Sequence, residues 1–284
     1  MTPPHAPSPH APTASHTRDE TAASRSETIS ELRRMLSRIE SLHIEGMDGD
    51  APRGLSFGLP ALDTHLPRGG LCFGAMHEIA PESEADLPAA IGFLISLLAR
   101  APGAAPLLLI LEARGIARNA RLSGHGLNTL GLDPGRVVLV ETANEKDTLW
   151  ATEEALRSGV PAAVATTLGV KLNLKTSQRL QVAAREARLP LLLLRPPAAE
   201  NAATATTRWR IASTEAARDR FGLTTRWRWR AALERCRNGR PGEWILEFDH
   251  ATHRFSLAAA LADPALPEGR SAPPVREQTA RRAG

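Results

Sequence analysis

Three short motifs and one basic strip hold the residues whose types and spacing could do chemistry. Gly54-Leu55-Ser56-Phe57-Gly58 has the G-x-S-x-G spacing of a nucleophile elbow, where a strand feeds a serine into a sharp turn before a helix. The preceding residues, Asp48-Gly49-Asp50-Ala51-Pro52-Arg53, read as a loop, and Pro60 follows. Without its strand the elbow has no scaffold, and a hydrolase is not expected. Gly124-x-Gly126 needs a glycine at 129 to complete a dinucleotide fingerprint, and that position is Thr129. His250 and His253 sit beside Asp249 on a predicted turn, without the further clustered ligand a metal centre requires.

The basic strip covers 207–240. It carries ten arginines against Glu215, Asp219 and Glu234, so it is +7 in a chain whose net charge is +4. Arg226-Trp227-Arg228-Trp229-Arg230 on a strand puts Arg226, Arg228 and Arg230 on one face and both tryptophans on the other. With Arg208 and Arg210, that face offers guanidinium groups to the phosphates of single-stranded DNA, with aromatic rings nearby for stacking. The same alternation describes a half-buried strand whose tryptophans enter the core while its arginines are solvated.

The elements that must position these residues are read from periodicity. Residues 1–26 hold five prolines and no apolar repeat, and 263–284 are similar, so both ends are expected to be disordered. Ile29, Leu32, Leu36, Ile39 and Leu42 recur at three- and four-residue steps and predict an amphipathic helix over 27–44. That helix either packs on its own domain or docks on a partner. From 54 the pattern alternates. Strands are expected at Leu71–Ile79, Leu107–Glu112, Val137–Val140, Val160–Ala165 and Leu191–Leu194. Helices are expected over Pro88–Arg100 and near 116–130, 144–158 and 173–188. Repeated βα units imply an α/β fold with a mostly parallel sheet covered by helices. After Pro196-Pro197, segments Arg208–Ala212, Arg226–Leu233, Glu243–Phe248 and Arg254–Leu257 predict antiparallel strands added at the C-terminal side.

Composition narrows the class. The 284 residues are 42% hydrophobic, enough for a core, and 32 of the 35 basic residues are arginine. Two cysteines, Cys72 and Cys236, make neither a Cys-only zinc site nor a disulfide framework, which points to a reducing compartment. The apolar stretch Leu87–Ala99 is shorter than the roughly 20 residues a bilayer needs. No secretory signal is read at the N-terminus. A soluble cytoplasmic protein is expected.

One segment carries more. Ser56-x-Gly58-x-x-x-Leu62-Asp63, Leu66-Pro67-Arg68-Gly69-Gly70 and His77-Glu78-Ile79 resemble the entry to the ATP-binding core of the RecA family. In that family the next residues are the phosphate loop, G-P-E-S-S-G-K-T. Here they read Ala80-Pro81-Glu82-Ser83-Glu84-Ala85-Asp86-Leu87. Pro81, Glu82 and Ser83 are kept, but the residues that do the chemistry are changed. Alanines at 80 and 85 resist left-handed geometry by roughly 1–2 kcal/mol each where a loop demands it. Asp86 replaces the lysine, and a unit charge pair at about 4 Å is worth on the order of 4 kcal/mol, here with its sign reversed. Leu87 has no oxygen for Mg²⁺. By the same alignment Arg114 stands where a glutamate activates water, and Val164-Ala165-Thr166-Thr167 lacks the Walker B aspartate. No catalytic residue and no cofactor is therefore expected, and no metal.

Among degenerate RecA-like proteins the chain resembles the ImuA family over about 27–260, including Thr207-Arg208-Trp209-Arg210, Gly242-x-Trp244 and Asp249-x-Ala251-Thr252-His253-Arg254. Between the disordered leader (1–26) and tail (263–284) read from composition, the resemblance implies an N-terminal helix and linker (27–53) and a RecA-like domain lacking a working phosphate loop (54–262). It implies an accessory role in SOS-induced translesion synthesis and mutagenesis, beside an ImuB-like protein and an error-prone C-family polymerase. RecA and single-stranded DNA are further candidate partners; a membrane is not. The alternatives are an ATPase with a rearranged nucleotide site and a SulA-like inhibitor of cell division.

Overall fold

Leu107–Glu112 and Leu191–Leu194 are runs of branched apolar residues with no polar face, and both are inner strands of one mixed sheet. The computed structural model describes residues 54–115, 122–169, 171–199, 204–218 and 220–258. The expected helix over 27–44, both terminal segments and the first part of the 116–130 helix lie outside those residues. The strands are β1 (Gly54–Leu55), β2 (Leu71–Cys72), β3 (Met76–Pro81), β4 (Leu107–Glu112), β5 (Val137–Thr142), β6 (Ala163–Thr167), β7 (Leu191–Leu194), β8 (Thr207–Ser213), β9 (Ala217–Arg218), β10 (Thr224–Cys236), β11 (Gly242–Asp249) and β12 (Arg254–Leu257). The α-helices are α1 (Pro60–Asp63), α2 (Leu87–Leu98), α3 (Gly124–Thr129), α4 (Glu145–Ser158) and α5 (Leu174–Ala187).

The main sheet runs β12-β11-β10-β8-β3-β7-β6-β4-β5. The strands from β8 to β5 are parallel to their neighbours, and β10, β11 and β12 add antiparallel at the other side. The α/β class and the antiparallel C-terminal addition are as the sequence predicts. One strand differs. Leu71–Ile79 splits into β2 and β3 because Phe73-Gly74 turns the chain, with Gly74 at φ +68 and Arg185 backbone against the place of a Cβ.

Helices close over both faces. α2 is apolar almost throughout and packs on β3, β7 and β8, placing Phe93, Leu94 and Leu97 in the larger core. On the opposite face α4 and α5 bury Leu156, Leu180 and Ala184 with Val164, Leu191 and Leu193. Their starts are fixed by Asn144 and Asn173, whose side-chain oxygens accept from Asp147 N and Thr176 N. Gly159, left-handed at φ +63, ends α4.

The fully buried His77 ties β3 to its neighbours. Its Nε2 donates to the Cys72 carbonyl at 2.9 Å, and its Nδ1 accepts from the Thr207 hydroxyl at 2.9 Å. Burial pushes its pKa down to about 4. Between pH 6.5 and 4 the unfolded chain therefore takes up a proton that the folded chain refuses, so acidification favours unfolding. Lowering the pH from 7 to 5 should cost about 2 kcal/mol through this group. Urea midpoints across that range would show it; an equal slope in His77→Gln would exclude His77 as the source.

Candidate functional site

In open α/β sheets ligands bind outside the carboxyl ends of the strands, where the strand order reverses. Here that place is the end of β3, because β3 leads to β4 on one side while β7 crosses to β8 on the other. Ala80 and Pro81 are still strand residues, and Leu87 already begins α2. What lies between is a single 3₁₀ turn, Glu84–Asp86. No residue from 80 to 87 has a positive φ, so Ala80 and Ala85 bear no left-handed strain. The glycine-dependent wrap is simply not taken.

Asp86 organises this turn. Its carboxylate accepts from the Ser83 hydroxyl at 2.6 Å, from Ser83 N at 3.1 Å and from Ser213 N, at the end of β8, at 2.8 Å. The Ser83 hydroxyl, with the two backbone amides, holds its carboxyl below the usual carboxylate range. Two backbone donors thus face an anion that is part of the chain. The rest of the loop is fastened too. Glu82 N donates to Ile211 O at 2.8 Å, the Glu82 carboxylate pairs with Arg230, and Arg210 Nη1 donates to the carbonyls of Pro81 and Pro197.

At the ends of β5 and β6, and on the facing side of α4, stand hydroxyls. Thr142 Oγ1 and Thr148 Oγ1 are 2.6 Å apart, Thr152 donates to Thr166 at 3.1 Å, and Thr167 accepts from Glu112 N at 3.0 Å. These bonds bind α4 to the strand ends. Neither Thr166 nor Thr167 can offer a charge to a metal ion. Arg114 is exposed in the turn after β4. A small cavity beside α2, lined by Ile91, Leu94, Leu109, Thr167 and Leu194, measures about 30 Å³.

The other motifs resolve as turn chemistry. The Asp63 carboxylate accepts from Ser56 Oγ, Phe57 N and Leu59 N, which explains why Ser56, Gly58 and Asp63 occur together. Gly58 is left-handed at φ +72, as that turn requires. The Asp249 carboxylate accepts from Ala251 N and Thr252 N and caps the β11–β12 turn that carries His250 and His253.

The arginine face is where the sequence needs correcting. Arg226, Arg228 and Arg230 do share a face of β10, but they are not simply solvated. Glu247 on β11 lies 2.6 Å from Arg228 and 3.1 Å from Arg226, while Arg230 pairs with Glu82 and Glu243. Arg208 and Arg210 share Glu234 at 2.9 and 3.2 Å. Burial alone would raise Glu247, but its hydrogen bonds from Arg228 and Arg226 hold it below the usual carboxylate range. On the opposite face Trp229 is in the core, stacked on Phe248 at 5.8 Å. Trp227, nearer the strand's start, is 37% exposed.

No family model matches the chain. Proteins named ImuA from two strains of Caulobacter vibrioides, NA1000 and CB 15, are each 36% identical to it over 231 residues. The match covers 74% of this chain and 90% of theirs. The chain belongs to the ImuA family.

For this ImuA-family chain, sequence reasoning located the loop but missed what fills it. Ser213 and the carboxylates Glu234, Glu243 and Glu247 were legible only as residues on later strands. The threonine network had a signal, since Thr142, Thr166 and Thr167 end their strands and Thr148 and Thr152 stand four apart on α4. Among the described residues no helix is long and apolar enough to cross a membrane.

Proposed function

We propose that this chain is a non-catalytic, RecA-like accessory protein of SOS-induced translesion synthesis, working in the cytoplasm with an ImuB-like protein and an error-prone C-family polymerase. Membership of the ImuA family supports the mutagenic context. The observation that carries the non-catalytic part is Asp86. It occupies the lysine position of the RecA-type loop and takes the Ser83 and Ser213 amides for itself. An incoming triphosphate would have to displace a carboxylate and then sit beside it. Contacts with protein partners, RecA among them, fit better than phosphate tracking by Arg226, Arg228 and Arg230. DNA bound on that face would have to displace Glu247, Glu82 or Glu243.

Deleting the gene should reduce ultraviolet-induced mutation frequency to the level of an ImuB deletion, with no further loss in the double deletion. Complementation with the full chain should restore it. Undiminished induced mutagenesis in the deletion strain would overturn the accessory role. Saturable micromolar heat on titrating purified protein with ATP–Mg²⁺ would instead favour the rearranged ATPase.

A further inference from the structure

Between β8 and β10 the chain forms a two-stranded arm that extends past the main sheet. β9 pairs with Thr224 and Arg226 of β10, whereas the last rung that β10 shares with β11 is Trp227 opposite Phe248. The Thr225 hydroxyl donates to the Ala217 carbonyl at 3.0 Å. At the tip Arg218 Nη1 donates to the carbonyl of Gly222, which turns the chain at φ +80. Phe221 is 72% exposed there and Leu223 65%.

The tip of the arm differs from the arginine face in how it treats charge. Arg208, Arg210, Arg228 and Arg230 each meet a carboxylate on a neighbouring element. Among the described residues no carboxylate lies within ion-pairing reach of Arg218 or Arg220. Arg220 instead lies over the Phe221 ring, 4.7 Å from its centroid. Arg218, Arg220, Phe221 and Leu223 are all exposed. Their root, however, is fixed: Ser213, where the arm leaves β8, is the residue whose amide Asp86 holds, and Thr214 N donates to Arg228 O at 3.2 Å.

We propose that this arm docks on a protein partner that offers an apolar pocket for Phe221 and Leu223, rimmed by carboxylates for Arg218 and Arg220. An exposed aromatic and aliphatic pair beside guanidinium groups is the composition of an interface anchor. Nucleic acid fits less well. Residues 214–227 carry three arginines but also Glu215 and Asp219, a small excess for a polyphosphate, and Leu223 has no ring on which a base could stack. The proposal rests on the accessory reading above, with the ImuB-like protein of the same organism as the partner to be tried.

The test is biolayer interferometry of the full chain on that immobilised, purified ImuB-like protein. Phe221→Ala and Leu223→Ala should each weaken binding about tenfold or more, as should Arg218→Glu with Arg220→Glu. Trp150→Ala, exposed on α4, should leave affinity unchanged, and thermal melts of all variants should overlay. If the wild-type chain binds and the arm variants bind equally well, the arm is not the dock, and the accessory reading survives. If the wild-type chain does not bind at all, the accessory reading falls and takes the arm with it. If the variants lose affinity for a fluorescent oligothymidine but keep the protein, the arm is a nucleic-acid surface and the proposal is overturned.

Discussion

Trp209→Ala should destabilise the protein by about 3–5 kcal/mol, the loss expected when a large aromatic side chain is removed from a core. Trp209 is fully buried, with its ring 5.3 Å from that of Phe57, 5.6 Å from Phe93 and 6.2 Å from Trp244. Those rings come from the β1–α1 turn, from α2 and from β11, so one side chain joins three elements that the backbone ladder does not. Its indole N–H donates to Thr207 Oγ1 at 3.2 Å, the same hydroxyl that serves His77. Against a typical total of about 5–15 kcal/mol, that is a large share of the stability, and the urea midpoint should fall accordingly. Urea titration followed by far-ultraviolet circular dichroism measures this, and Trp209→Phe should recover more than half of the loss. A cost below about 1 kcal/mol would mean that the cluster repacks and that Trp209 is not its keystone.

The second large effect is expected at Glu247. Removing one partner of a fully buried ion pair costs roughly 3–5 kcal/mol; Arg226 is half exposed, so Glu247→Ala should cost less, about 2–3 kcal/mol. The penalty arises because Arg228, itself mostly buried, keeps its charge and loses both of its contacts to Oε1. Glu247 is held below its ordinary value of 4.5, so its contribution is complete above that pH and is lost as the pH falls through the lower folded value. The gap between wild type and variant should therefore be constant from neutral pH to about 5 and shrink in stronger acid. Denaturation curves at pH 7 and in stronger acid test both halves. A gap that instead widens with acid would point to another group.

How far the sequence could be read follows the range of the interactions involved. Leu107–Glu112, Leu191–Leu194 and Arg254–Leu257 are strands with the boundaries their composition marks, because continuous apolar runs and turn residues are local signals. The helix expected near 144–158 is α4, whose cap, Asn144, stands immediately before it. Gly74 could have divided Leu71–Ile79, since a glycine between two apolar runs is itself a break signal. The arginine face was legible as a face and not as a charge balance. Alternation within β10 is local, whereas the rung that sets Arg228 opposite Glu247 depends on how β11 returns. Asp86 shows the same limit. The resemblance to RecA-type loops sets it at a lysine position, but its role depends on an amide at the far end of another strand.

That bond has a consequence for the order in which the molecule is built. Asp86 and Ser213 are 127 residues apart, and nothing local brings them together. Their contact needs β8 laid beside β3, across the chain that holds α2 and the strands from β4 to β7. Closing a contact of such long range costs more loop entropy than a local turn does. The turn after β3 and the root of the arm therefore take their final form together. A partner docked on the arm as proposed above would meet a root already joined to the turn after β3.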